Sequence, residues 1–105
     1  MLRIYYVMLD VIRLVRPVLV KSEARDRELA KQLRTAENSV VLNLAEGSGS
    51  KGGTRLERYR TALGSAKETW ACLDTAEAQG YVAEIDPRIH AGLREVIGTL
   101  INIVR

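Results

Sequence analysis

The 105-residue chain has no phenylalanine, one cysteine, one histidine and two prolines, and its only aromatic residues are four tyrosines and one tryptophan. Each shortage excludes something. A lone cysteine, Cys72, rules out an intramolecular disulfide and fits a reducing compartment. A lone imidazole, His90, cannot supply the two Glu-x-x-His motifs of a di-iron bundle site, and the residue three before it is Pro87. It also argues against a nucleophile–histidine–acid arrangement. We read His90 as a solvated surface residue and Cys72 as a small buried hydrophobe beside Leu73. Scarce aromatic rings require an aliphatic core of Leu, Val, Ile and Ala. They also leave only Tyr5, Tyr6, Tyr59, Trp70 and Tyr81 for any stacking on nucleobases. No stretch alternates as a strand would, and no repeat or low-complexity tract is present. Residues 1–20 are rich in apolar side chains, but Asp10, Arg13, Arg16 and Pro17 interrupt them and no small-residue cleavage site follows. They read as an amphipathic helix rather than a signal peptide or membrane span, and the protein as cytoplasmic.

What remains is 47% apolar and 28% charged, the balance of a globular chain, with length for a single domain, 1–105, around one core. Hydrophobic periodicity picks out four helical segments, at about 4–20, 23–46, 55–79 and 87–104. The expected fold is all-α, an antiparallel up-down four-helix bundle. In the first segment Val7, Val11, Leu14, Val15, Val18 and Leu19 recur at helical spacing, and Pro17 should kink or divide the helix. In the second, Leu29, Leu33, Ala36, Val40 and Leu44 form a seam, Gly47 fits the position just past the helix end, and Ser48–Gly53 reads as a flexible loop. In the third, Thr54-x-x-Glu57 reads as a capping box, the seam is Leu56, Tyr59, Leu63, Ala66, Trp70, Leu73 and Ala76, and Gly80 closes the helix. Asp86-Pro87 opens the fourth, whose seam is Ile89, Leu93, Val96, Ile97, Leu100, Ile101 and Val104. On this reading the seams of the last three helices hold no carboxylate. The apolar arcs of the first and fourth helices span roughly 180° and 160°, against the ~100° that a single core contact needs. This predicts a further interface and an oligomer.

Charge is unevenly spread around the net value of +3. Residues 48–67 carry Lys51, Arg55, Arg58, Arg60 and Lys67 against Glu57, a balance of +4; residues 68–87 carry five acids and no base, a balance of −5. A second basic stripe, Arg27, Lys31 and Arg34, shares one face of the second helix. Repeated around an oligomer, such stripes would bind a nucleic-acid backbone without reading bases. Gly47 and Gly52 have the spacing of a phosphate-binding loop, but Gly53 stands where the lysine would be and a helix precedes it, so the stretch is not a nucleotide site. With Lys51 and Arg55 beside a helix start, it is at most a generic anion site. Asn43, Glu46 and Ser39 share a face near the second seam. We expect Asn43 and Glu46 to bond groups on the third helix, such as Ser65, or the 47–54 loop, and so fix the register.

Ser39-Val40-x-x-Asn43-Leu44-Ala45-Glu46-Gly47, followed by Gly64-Ser65-Ala66-x-Glu68 and Gly80-Tyr81, resembles the four-helix bundle proteins encoded in intervening sequences of bacterial 23S ribosomal RNA. It is similar, too, to the accessory proteins of diversity-generating retroelements. The resemblance runs from Leu9 to the C-terminus. It implies a ring-like homopentamer and, in the retroelement branch, a basic barrel that binds a reverse transcriptase and nucleic acid. The charge of +3 and the Gly-Ser-rich loop depart from a strongly basic accessory protein. The sequence therefore supports a non-enzymatic oligomeric scaffold contacting RNA or DNA through Lys51, Arg55, Arg58, Arg60, Lys67, Arg27, Lys31 and Arg34. Its structural motif is Ser39, Asn43, Glu46, Gly47, Ser65 and Glu68. No cofactor, metal, membrane or small-molecule substrate is expected. The alternative is a protein-interaction adaptor that touches no nucleic acid.

Overall fold

A computed structural model describes residues 1–105 and contains four helices and no strand: α1 (Arg3–Arg25), α2 (Arg27–Ser48), α3 (Gly52–Ala78) and α4 (Pro87–Val104). They form an up-down bundle measuring 42 × 24 × 20 Å, each helix packed on its two neighbours, with no contact across the α2–α4 diagonal.

The reason lies in the spacing of the buried side chains, which alternates between three and four residues on every helix. These are Ile4, Met8, Val11, Val15, Val18 and Ser22 on α1, and Ala30, Leu33, Glu37, Val40, Leu44 and Gly47 on α2. On α3 they are Tyr59, Ala62, Ala66, Thr69, Leu73 and Ala76; Val82 and Ile85 before α4 lead into Ile89, Leu93, Val96 and Leu100. A 3–4 alternation keeps one narrow seam facing the partners along the whole length, as in coiled coils. Gly47 lies against the Tyr59 ring and Gly92 against Val11, which sets the register between antiparallel neighbours. Counted out from those two contacts along the 3–4 spacing, the buried positions fall into tiers of four. Ile4, Gly47, Tyr59 and Leu100 form one end; Ser22, Ala30, Ala76 and Val82 form the other; Val15, Glu37, Thr69 and Ile89 form a tier between. Among the buried residues only Leu29, Ala36 and Cys72 fall outside these tiers.

Several sequence expectations need correction. Helix α1 is not divided at Pro17 and does not stop near Val20; it continues to Arg25. Pro17 and Arg13 are both exposed, so the carbonyl that proline frees is open to water and the helix loses little. A single residue, Asp26, separates α1 from α2; its Oδ1 accepts from the Leu29 N–H at 2.9 Å, which caps α2. Gly47 lies in the last turn of α2, which ends one residue later at Ser48, and a Cβ there would fall 2.4 Å from the Tyr59 ring. Ser48–Gly53 is not a long loop: only Gly49, Ser50 and Lys51 connect α2 to α3, and Gly52 enters α3 with φ +57°. Thr54 and Glu57 make no capping box, since α3 has already begun at Gly52. The seam of α2 does hold a carboxylate, Glu37, which is 2% exposed. Leu56, Leu63 and Trp70 are only half-buried on the flank of α3, and the seam there runs through Ala62 and Thr69 instead. Ile97, Ile101 and Val104 likewise lie outside the buried stripe of α4.

Candidate nucleic-acid interface

The cations singled out in the sequence do not form one patch. Lys51, Arg55 and Arg58 lie where α2 meets α3; Arg27, Lys31 and Arg34 lie at the opposite end, in the first half of α2; Lys67 is midway along α3. Half of them are already engaged. Arg55 turns back, its Nε donating to the carbonyls of Gly47 at 3.1 Å and Ser50 at 2.8 Å. It thereby satisfies the end of α2, which makes it a clasp for the connection rather than a free anion ligand. Arg58 pairs with Glu46 at 3.0 Å, Arg60 with Glu57 at 3.3 Å and Arg34 with Glu23 at 3.2 Å, all solvent-exposed. Arg27, Lys31, Lys51 and Lys67 form no ion pair and are exposed.

Continuation of α1 through Arg25 adds cations that the sequence reading placed elsewhere. Lys21 and Arg25 now stand on a helix, across the one-residue turn from Arg27 and Lys31. Arg25 lies 5.8 Å from the centre of the Tyr81 ring. Of the acids there, Glu23 is held by Arg34, Asp26 accepts from Leu29 N–H and, at 2.9 Å, from Tyr81 Oη, and Glu28 is exposed without an ion pair. Those two bonds hold the Asp26 carboxyl below the usual carboxylate range. The α1–α2 corner thus carries five cations, Lys21, Arg25, Arg27, Lys31 and Arg34, against three acids, Glu23, Asp26 and an exposed, unpaired Glu28. The signal for it was the chain of helix-compatible residues between Val20 and Asp26, which the seam alone does not reveal.

The residues of the structural motif do meet, in a different pairing. Ser65 Oγ donates to Ser39 Oγ at 2.7 Å, and Asn43 Nδ2 donates to the carbonyl and hydroxyl of Ser39 at 2.9 and 3.1 Å. Ser39, not Asn43, is therefore the group that reaches α3, while Glu46 reaches it through Arg58. Glu68 is exposed and forms no ion pair. Beside this clasp lies a shallow hollow lined by Thr35, Asn38, Ser39, Leu42, Asn43, Glu46 and Arg58, from which Leu42 projects, 61% exposed.

The profile of a known family, 23S rRNA-intervening sequence protein, matches residues 6–102. The chain belongs to that family. A solved structure, of a protein with unknown function from the S23 ribosomal protein family of Bacteroides thetaiotaomicron, shares the fold with a TM-score of 0.78. The two are 18% identical, over 97% of this chain and 98% of that one. No curated protein matches the chain. At that identity the likeness carries the arrangement of helices and nothing finer.

Within this 23S rRNA-intervening sequence protein, no three His, Cys, Asp or Glu side chains converge as metal ligands would. Cys72 is buried; desolvation, then Glu68, raise its thiol pKa, which disfavours the nucleophilic thiolate. No helix is long and apolar enough to cross a membrane. His90 is not the solvated residue expected: it is half-buried, its ring 4.7 Å from that of Trp70 at 45°. Arg94, one turn further along α4, holds its guanidinium 5.7 Å from the same indole. A large aromatic at helical spacing reads as core, which hides this cluster in the sequence.

Proposed function

We propose that the protein is a non-enzymatic bundle that binds the sugar-phosphate backbone of RNA or DNA, as a bacterial, cytoplasmic homo-oligomer. The observation that carries the reading is the set of exposed cations Lys21, Arg25, Arg27 and Lys31 at the α1–α2 corner, none of them in an ion pair, which with Arg34 outnumber the local acids Glu23, Asp26 and Glu28 by five to three. Phosphate binding draws on that excess of positive charge, and a closed ring would repeat the corner around its axis. Self-association is supported by large apolar side chains left in solvent on the outer helices: Tyr6 at 57% and Val20 at 65% on α1, and Ile101 at 41% on α4. The family resemblance favours a pentamer and, in its retroelement branch, a reverse transcriptase as protein partner. Light scattering at micromolar concentration tests the assembly, and a monomeric mass would refute it.

The binding test is a titration of RNA at several salt concentrations. Wild type should show a linear fall of log affinity with log salt. The double variant Arg27→Glu, Lys31→Glu should weaken binding and flatten the slope by about 2, one for each lost phosphate contact. Absence of any salt-dependent binding at low ionic strength sinks the proposal. A second reading, an adaptor that touches no nucleic acid, is favoured by Leu42 projecting beside its polar hollow, the form of a protein contact with a polar rim. Recovery of one protein partner after nuclease treatment, lost on Leu42→Asp, would select it.

A further inference from the structure

Trp70 packs part of its indole against the core from the α3–α4 flank and leaves the rest of the ring in solvent. The tiers of α3 on either side of it are filled by Ala66, Thr69 and Leu73, all fully buried, while the indole stands half-exposed on the α3–α4 flank. The other aromatic residues are accounted for: Tyr59 fills the space opposite Gly47, Tyr81 is bonded to Asp26, and Tyr5 and Tyr6 pack edge to face on each other. On the α4 side Trp70 meets a half-buried imidazole and a cation, and along α3 it stands between Lys67 and Asp74, both exposed. His90 lies against the ring and Arg94 hovers at 5.7 Å, near the outer limit of about 6 Å for a cation–π contact, so the guanidinium can leave at small cost. Lys67, one turn before Trp70 on the same helix, is exposed and unpaired, as is Arg94.

We infer that Trp70 is a stacking platform for a base of single-stranded nucleic acid, with Arg94 and Lys67 holding the adjoining phosphates. The inference rests on the backbone-binding reading above and adds to it a preference for unpaired strands. Indole offers the largest flat apolar face of any side chain, and stacking tolerates every base because all have a π-face. Charge along α3 also sets the direction of the strand. Residues after Lys67 are acidic, with Glu68 and Asp74 exposed, whereas Arg60 and Lys67 lie toward the start of the helix. A phosphate chain leaving Trp70 is repelled from Asp74 and runs toward Lys67 and Arg60. A duplex keeps its bases stacked inside and offers the indole nothing.

Trp70 is the sole tryptophan, so its emission reports the contact directly. Full-length protein is titrated at low salt with a twelve-residue oligouridylate, with an RNA duplex of equal length, and with polyglutamate. The single strand should quench the emission and the duplex should not. Trp70→Leu should weaken single-strand binding about tenfold, within the range for losing one stacked base, and leave duplex binding and the salt slope unchanged. Trp70→Tyr, which keeps a ring, should recover most of the affinity, which separates stacking from a fold defect. Single-strand binding with unchanged emission and an unaffected Leu variant overturns the platform while leaving the backbone reading intact. Equal quenching by polyglutamate overturns it in favour of an acidic protein partner. Failure of both nucleic acids to bind overturns the platform together with the reading beneath it.

Discussion

The tier at one end of the bundle and the tier three steps further in each break the aliphatic rule, in opposite ways. At the end, Tyr59 is far larger than the seam residues around it, and the conflict is resolved inside the tier: Gly47 faces it, so closely that even a methyl group would meet the ring. Further in, Glu37 brings a carboxyl into a tier with Val15, Thr69 and Ile89, and there the conflict is not resolved. The Thr69 hydroxyl is already spent, donating to the Ser65 carbonyl at 2.8 Å, and Glu37 Oε2 has no hydrogen-bond partner. Desolvation raises the carboxyl's pKa to about 7, outweighing the opposing pull of Arg34. Size mismatches can be settled by one neighbour. Charge mismatches need a partner with a matching atom, and a seam of methyl groups has none.

The largest effect should come from the unresolved tier. The folded pKa of Glu37 is raised above its unfolded value, so the stability it permits is complete below about pH 4.5 and is lost as pH climbs through about 7. Glu37→Gln keeps the shape and removes the ionisation. It should stabilise the protein by about 3 kcal/mol at pH 8, since each tenfold difference in proton affinity between the folded and unfolded chain is worth about 1.4 kcal/mol, and by very little at pH 4. Urea unfolding of both proteins at the two pH values measures this. A variant equal to wild type at pH 8 would mean that the carboxyl has a partner or water after all. Asp26, Asp86 and Glu95, whose pKa values are lowered, pull the wild-type profile the other way in acid, which is why the difference between the two proteins is the quantity to read.

The resolved tier should break when its small partner grows. Gly47→Ala gains about 1 kcal/mol of helix propensity but drives a carbon into the Tyr59 ring, for a net loss of about 2 kcal/mol. Gly64→Ala is the control: it lies mid-helix, whereas Gly47 is in the last turn of α2, and with nothing within 4 Å of the added carbon it should stabilise by about 0.5–1 kcal/mol. If both substitutions stabilise, the Gly47–Tyr59 fit is not what keeps glycine at 47. Combining Gly47→Ala with Tyr59→Leu should cost less than the sum of the two changes, because the clash disappears with the ring.

The same pair of tiers marks how far the fold was legible. Aliphatic positions gave four helices and their order, since a 3–4 rhythm of Leu, Val, Ile and Ala has few other uses. Glu37 sits on that rhythm, between Leu33 and Val40, but its charge hid it. Gly47 was misread as a stop because glycine serves helix ends and close contacts equally, and only the ring of Tyr59 tells them apart. The end of α1 was placed too early because Lys21, Glu23 and Arg25 face solvent and Ser22 alone turns inward. Among the candidate contact residues, charge was visible but pairing was not: nothing local in the sequence says that Arg55 will bend back to carbonyls while Lys51 stays free.

Between the two tiers, α2 and α3 are tied by polar contacts that should matter less than the packing. Ser65→Ala removes the donor to Ser39 Oγ from a half-buried contact, yet Ser39 keeps its bond from Asn43. A loss of about 1 kcal/mol is expected, without a change in the pH profile. A loss of several would place the α2–α3 register in this hydroxyl pair rather than in the tiers.

The smallest effect should fall nearest the resolved tier, at Arg58. Its pairing with Glu46 is short, 3.0 Å, but the two side chains are 48% and 56% exposed, so water competes for both charges and ordering two long side chains offsets the attraction. Arg58→Ala should change stability by less than about 0.5 kcal/mol, and less still at high salt. The same variant also leaves Glu46 without its ion pair, so any loss of RNA affinity it causes comes with a change in local charge rather than in the bundle. If Arg58→Ala instead unfolds the chain as readily as Gly47→Ala, the contrast drawn between packing inside the tiers and pairing on their flanks is wrong, and the clasp at the end of α2 holds the register itself.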